Sequence, residues 1–199
     1  MPIHRSAWLL ALLPVSALAG HGLLNSFNDL EWLPAAGRTP DQWNYRLDQL
    51  REHSALLFAE DDNARLTLCL DYMREKLAEA EAMVSSNDTQ AALVAIKNYH
   101  GYLDRIESLT GELTNGRAST ARQRLARALL EHQYMLSVDY PDLPVAPRAV
   151  ITTLIDDLGK RYTVLRGQLP RSDGEALFFK EEEVRWSWEM GRRAGEIPP

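Results

Sequence analysis

Residues 74–96 read REKLAEAEAMVSSNDTQAALVAI, and their pattern decides the class of fold. Two runs rich in alanine and leucine flank Ser85-Ser86-Asn87-Asp88, a polar stretch suited to a turn. Upstream, Leu66, Leu70, Met73, Leu77, Ala80 and Val84 recur at steps of three and four, which is the stripe of one helical face. Arg65, Arg74, Glu75, Glu79 and Glu81 fall away from that stripe and read as a solvated face. Downstream, Ala92, Ile96, Tyr99, Leu103 and Ile106 repeat the helical spacing, with Asn87 or Asp88 placed to cap the new helix. So short a connection lays the two helices antiparallel. The predicted hairpin covers 62–110. It cannot offset the entropy of ordering its own backbone, so further helices must cover it.

Those helices are visible on both sides. Thr39-Pro40-Asp41 has the order of a helix start, with Thr39 as cap and Pro40 in the first turn. Trp43, Leu47, Leu50, Ser54 and Leu57 then mark the face expected to turn inward, and the helix is expected to end near Phe58. Glu60-Asp61-Asp62 supplies acids to the start of the second helix. After Gly111 and Asn115-Gly116, a fourth helix is predicted near 118–138 with Leu125, Leu129, His132 and Leu136 on one face. Pro141, Pro144 and Pro147 make a stiff linker. A fifth helix follows near 148–169, carrying Ile151, Ile155, Leu158, Tyr162 and Leu165, and Pro170 stops it. Residues 171–199 form a C-terminal segment in which Leu177, Phe178, Val184 and Trp188 suggest one short helix. No segment alternates as a strand would. The expected fold is all-α: an antiparallel helical bundle of about five helices over 41–170, plus the short C-terminal helix.

The first 19 residues have a different character. A basic start at His4-Arg5, the apolar run AWLLALL at 7–13, Pro14, and the small residues Ala17-Leu18-Ala19 follow the order of a secretory signal peptide cut after Ala19. An uncleaved membrane anchor is the rival, but Ala7–Ala19 gives roughly 20 Å of helix, against about 30 Å of bilayer core. No cysteine follows the apolar run, which excludes a lipid-modified one. The expected location is periplasmic or secreted. Residues 20–40 lack a sustained period and read as an irregular arm, with Leu23, Leu24, Phe27, Leu30 and Trp32 available to pack on the body. Cys69 is the sole cysteine, so no intrachain disulfide can staple the fold. A net charge of −6 argues against a nucleic-acid partner, which needs a concentrated basic face.

The stretch from Pro40 to Ile106 resembles domain-of-unknown-function family 5667. The features that carry it are the proline-led PDQWNYRLDQL, the LLFAEDDNAR step into the second helix, the REKLAEAEAMVSSND run with its polar turn, and the alanine-rich TQAALVAIKNYHGYLDRI. The resemblance implies a helical protein that commonly follows a signal peptide or membrane segment. It implies no catalytic residue and no ligand.

Candidate sites are sparse. His132 lies on an apolar stripe and His100 sits near Tyr99 and Tyr102, but neither has a second histidine at a helical step to share a metal. His21 would join a metal site only at a processed N-terminus. Cys69, between Leu68 and Leu70, reads as a packed side chain. Glu60, Asp61 and Asp104 are the dispersed acids an enzymatic reading would need, yet no nucleophile, zinc or phosphate-loop motif accompanies them. Arg117, Arg122, Arg124 and Arg127 form the basic cluster, oddly placed at a helix start, where cations are mildly unfavourable. It suits an acidic partner or a peripheral membrane contact. Arg185, Trp186 and Trp188 lie in a segment suited to a protein contact. The sequence therefore points to a non-enzymatic secreted protein, with no cofactor or metal, acting on an unidentified envelope protein. A periplasmic metal or envelope-stress sensor is the alternative.

Overall fold

The computed structural model describes residues 26–113 and 115–196. The expected signal peptide at 1–19 and the start of the arm, with Leu23 and Leu24, lie outside them. Within the described residues the chain forms seven α-helices and no strand: α1 Tyr45–Leu57, α2 Asp62–Ser85, α3 Thr89–Glu112, α4 Asn115–Asp139, α5 Arg148–Arg166, α6 Arg171–Ala176 and α7 Phe178–Glu196.

The α2–α3 hairpin is the longest packed interface. Its turn closes through a paired set of backbone bonds. Asn87 N–H donates to Val84 O at 2.9 Å and Asp88 N–H to Met83 O at 2.8 Å, while Asn87 takes φ 61°. These are the bonds of a Schellman cap. Asp88 then accepts from Ala91 N with its side chain and starts α3. The predicted stripes of α3, α4 and α5 are all buried, from Ala92 to Ile106, Leu125 to Leu136 and Ile151 to Leu165. On α2, Leu66, Met73, Leu77, Ala80 and Val84 are buried and Leu70 is half-buried.

α4 is the axis of the second half. It packs against α5 and α7 and also touches α2 and α3. The C-terminal helix is not short: α7 has 19 residues and lies along α4, so residues 171–196 belong to the bundle and are not an appendage to it. Leu177 and Val184 are buried there, but Phe178 is exposed. Gly191 permits the close crossing, since a Cβ on it would run into Ser137 O. The proline linker contains a single 3₁₀ turn, Tyr140–Asp142. Arg148 pins it by donating to Pro141 O at 2.8 Å and Leu143 O at 2.9 Å, and reaches Gly195 O at 2.5 Å. No described helix is long and apolar enough to cross a membrane.

The visible part of the arm is clasped between α4 and α7. Phe27 stacks on Tyr134 with ring centroids 4.3 Å apart, beneath the Lys180 ammonium. Ser26 donates to Glu183, and Asp29 bonds both Lys180 and Arg127. Leu30 packs on the core, whereas Trp32 is exposed.

Candidate functional site

α1 departs from the sequence reading in two ways. Its helix begins at Tyr45 without a side-chain cap, while Thr39 to Asn44 form turns. Thr39 does not cap the helix; its hydroxyl accepts from Gln42 Nε2 at 3.1 Å. The second departure is larger. Tyr45, Asp48, Glu52 and Leu56 turn inward, and the stripe expected to be the core faces outward. Trp43 is 90% exposed, Phe58 85% and Leu57 77%, with Leu47 and Leu50 also mostly exposed.

The inward side is held by polar chemistry. Lys76 on α2 is fully buried and donates to Glu52 Oε1 at 2.5 Å and to Glu79 Oε1 at 2.7 Å. Tyr45 donates to Glu79 Oε2 at 2.8 Å, and Asn98 Nδ2 donates to the Tyr45 hydroxyl. Tyr102 completes the set by donating to Glu52 Oε2 at 2.5 Å. Glu79, predicted to be solvated, is thus a buried member of the network. The network is tolerated because each buried group has partners. Burial disfavours the Lys76 ammonium, but the bonds from Glu52 and Glu79 outweigh it and hold the proton more tightly than usual. Burial pushes the Glu79 carboxyl up, against the bonds from Lys76 and Tyr45. One cation facing two carboxylates keeps the ammonium charged, and a carboxyl is the first group to change state in acid.

Beside this network, Asp48, Glu52 and Glu75 bring carboxylate oxygens within 4.8 Å of one another. Asp48 faces Arg38 at 3.5 Å and Arg51 at 3.9 Å, and Glu52 is committed to Lys76 and Tyr102. The acids of the trio are therefore largely matched by cations and donors already in place.

The residues singled out from sequence are scattered. Arg124 donates to Thr67 on α2 at 3.1 Å, and Arg127 pairs with Asp29 and Glu131 at 2.6 and 2.7 Å. Those two brace the fold, which leaves Arg117 exposed and Arg122 half-buried. Arg185 is exposed and pairs with Glu182; Trp186 is exposed, while Trp188 lies edge-on to Tyr140 at 5.0 Å. His132 is buried with its Nδ1 2.9 Å from the Tyr99 hydroxyl, and burial drives its pKa down to about 3. His100 sits 3.6 Å from Asp157 Oδ2, with Nδ1 unbonded, and belongs to a groove of about 460 Å³ between α3 and α5. Cys69 is buried, and burial pushes its thiol up. Asp61 caps α2 by accepting from Ala64 N, and Asp104 pairs with Arg161 at 2.9 Å.

The family model described as "Domain of unknown function (DUF5667)" matches residues 37–138. The match runs beyond Ile106, where the likeness read from sequence stops, and takes in α1 through α4 nearly to its end. No curated protein and no solved structure matches the chain.

Proposed function

The chain belongs to the domain-of-unknown-function family DUF5667, and from that premise we propose a secreted or periplasmic, non-enzymatic helical protein that works through protein–protein contacts as an envelope accessory or scaffold. One observation carries the reading. The outward face of α1 offers Trp43, Leu47, Leu50, Leu57 and Phe58 to solvent as one contiguous stripe. A patch of this kind on a well-packed body marks an interaction site. The signal-like residues 1–19 support a location outside the cytosol. Arg117, Arg122, Arg185 and Trp186 offer further contact points. Crosslinking in the native envelope tests the proposal: the protein should yield specific adducts that disappear in Leu50→Glu while its helical spectrum is unchanged. Adducts insensitive to that substitution, or fractionation with the cytosol, would count against it.

A metal or envelope-stress sensor is the second reading. It draws on the convergence of Asp48, Glu52 and Glu75, not on the histidines. Stoichiometric binding of a divalent cation, lost in Asp48→Asn, would favour it.

A further inference from the structure

We propose that the outward face of α1 is a homodimer surface, on which two copies of this chain pair their α1 helices antiparallel about a two-fold axis near Leu50. This rests on reading α1 as a contact surface, and it names the occupant.

Three observations select a second copy. The first is charge. Both acids within α1, Asp48 and Glu52, point inward, so the ionisable side chains it exposes are Arg46, Arg51 and His53. Arg38, 3.5 Å from the buried Asp48, lies near the start of the stripe, where Asp41 is also exposed. Beyond Phe58 come Glu60, Asp61 and Asp62, all exposed; Asp61 caps α2, Asp62 pairs with Arg65 at 2.8 Å, and Arg117 and Arg124 line one pocket with both aspartates. The exposed cations therefore lie along α1, and the exposed acids lie beyond Phe58. Antiparallel pairing about Leu50 sets Arg38 opposite the other copy's Asp62, and it sets the two helix dipoles in opposite directions. A parallel pair would oppose like charges.

The second is the disposition of the apolar groups. Leu50 sits at the middle of the stripe, with Trp43 at one end and Phe58 at the other. A two-fold axis through Leu50 places it on its own copy and brings Trp43 onto the partner's Leu57 and Phe58. This is the self-complementary arrangement that an isologous interface requires.

The third is area. Trp43 and Phe58 are almost wholly exposed. At about 150–250 Å² each they offer roughly 300 Å² per copy. With three leucines the pair would cover on the order of 1,000 Å², the lower bound for a specific interface. A bilayer of anionic lipid fits less well. Arg46 and Arg51 would suit it, but the three acids after Phe58 would be pressed against like charge.

Sedimentation velocity and cysteine crosslinking on protein purified from cells expressing the full chain test this. The wild type should sediment as a concentration-dependent dimer, and Leu50→Glu should weaken association by at least about tenfold with its helical spectrum retained. Leu50→Cys should form a disulfide-linked dimer with itself under mild oxidation. Trp43→Cys should crosslink with Phe58→Cys in a mixture but not with itself. The buried Cys69 stays silent in these reactions. A monomer at every concentration, with no disulfide-linked dimer of Leu50→Cys, overturns the proposal. So does a Trp43→Cys self-crosslink, or a monomer that floats with phosphatidylglycerol vesicles through Leu50. If the monomer still gives Leu50-dependent adducts with other envelope proteins, α1 stands as a contact surface and only the second copy is lost.

Discussion

Asn87 holds the turn of the central hairpin in the left-handed region, at φ 61°, which a branched or methyl side chain resists. Asn87→Ala should lower stability by about 1 kcal/mol, whereas Asn87→Gly should not, read as the midpoint of urea unfolding. Two other residues act through protons, with opposite signs. His132 is held to about 3 by burial, so the unfolded chain binds a proton that the native state refuses between pH 6.5 and about 3. Its contribution is full above the ordinary histidine range and is lost as pH falls, by about 2 kcal/mol at pH 5. Asp139 is raised to about 7, by burial first and by Glu81 and Asp142 beside it. There the native state binds the extra proton, so stability falls as pH rises from about 4 to 7. Thermal melts of His132→Gln should lose less stability on acidification than wild type. Asp139→Asn should gain on wild type at pH 8 and match it near pH 4.

Among the helices, α2 to α5 follow the rule that apolar periodicity marks the buried face, and their stripes could be read because each is apolar and each is buried. α1 breaks the rule. Its periodicity is as plain as the others, but Tyr45, Asp48 and Glu52 supply the inward face through hydrogen bonds and charge, which a hydropathy pattern does not register. Glu79 reads from sequence as part of a solvated face on α2, and only the placement of α1 over it and Lys76 makes their i,i+3 pair internal. The site was likewise visible in sequence as a stripe and hidden as a surface, because spacing gives a face and not its direction. The attachment of α1 should accordingly depend on Lys76. Lys76→Met strands Glu52 and Glu79 in the interior, and should cost about 3–5 kcal/mol. Tyr102→Phe removes one bond to Glu52 and should cost about 1.5–3 kcal/mol, as expected for a bond to a charged group. Chemical denaturation of the two variants checks the order. A neutral Lys76→Met would mean that α1 is held by something other than this network.

For the whole molecule the question is whether α5 to α7, which lie beyond the family match, fold with α1 to α4 or merely lean on them. The contacts favour one unit. α4 carries both interfaces: its inner side meets α2 and α3, and it also packs along α5 and α7. The arm adds a second tie, since Phe27 stacks on α4 while Lys180 and Glu183 of α7 hold Ser26 and Asp29. The tightest point of the α4–α7 crossing is Gly191 against Ser137 O, where any Cβ must push backbone away from backbone. Gly191→Ala trades that clash against the higher helix propensity of alanine, worth roughly 1 kcal/mol, while forced overpacking costs typically about 1–3 kcal/mol. The clash should win because a carbonyl oxygen, unlike a side-chain end, cannot swing aside. If the helices share one core, Gly191→Ala lowers the single unfolding transition seen by both far-ultraviolet circular dichroism and tryptophan fluorescence. Trp188, on α7, should then report the same midpoint as the hairpin. Two separated transitions, with only the fluorescence change moving to lower denaturant, would instead make α7 an independently detaching helix and α4 a surface it visits.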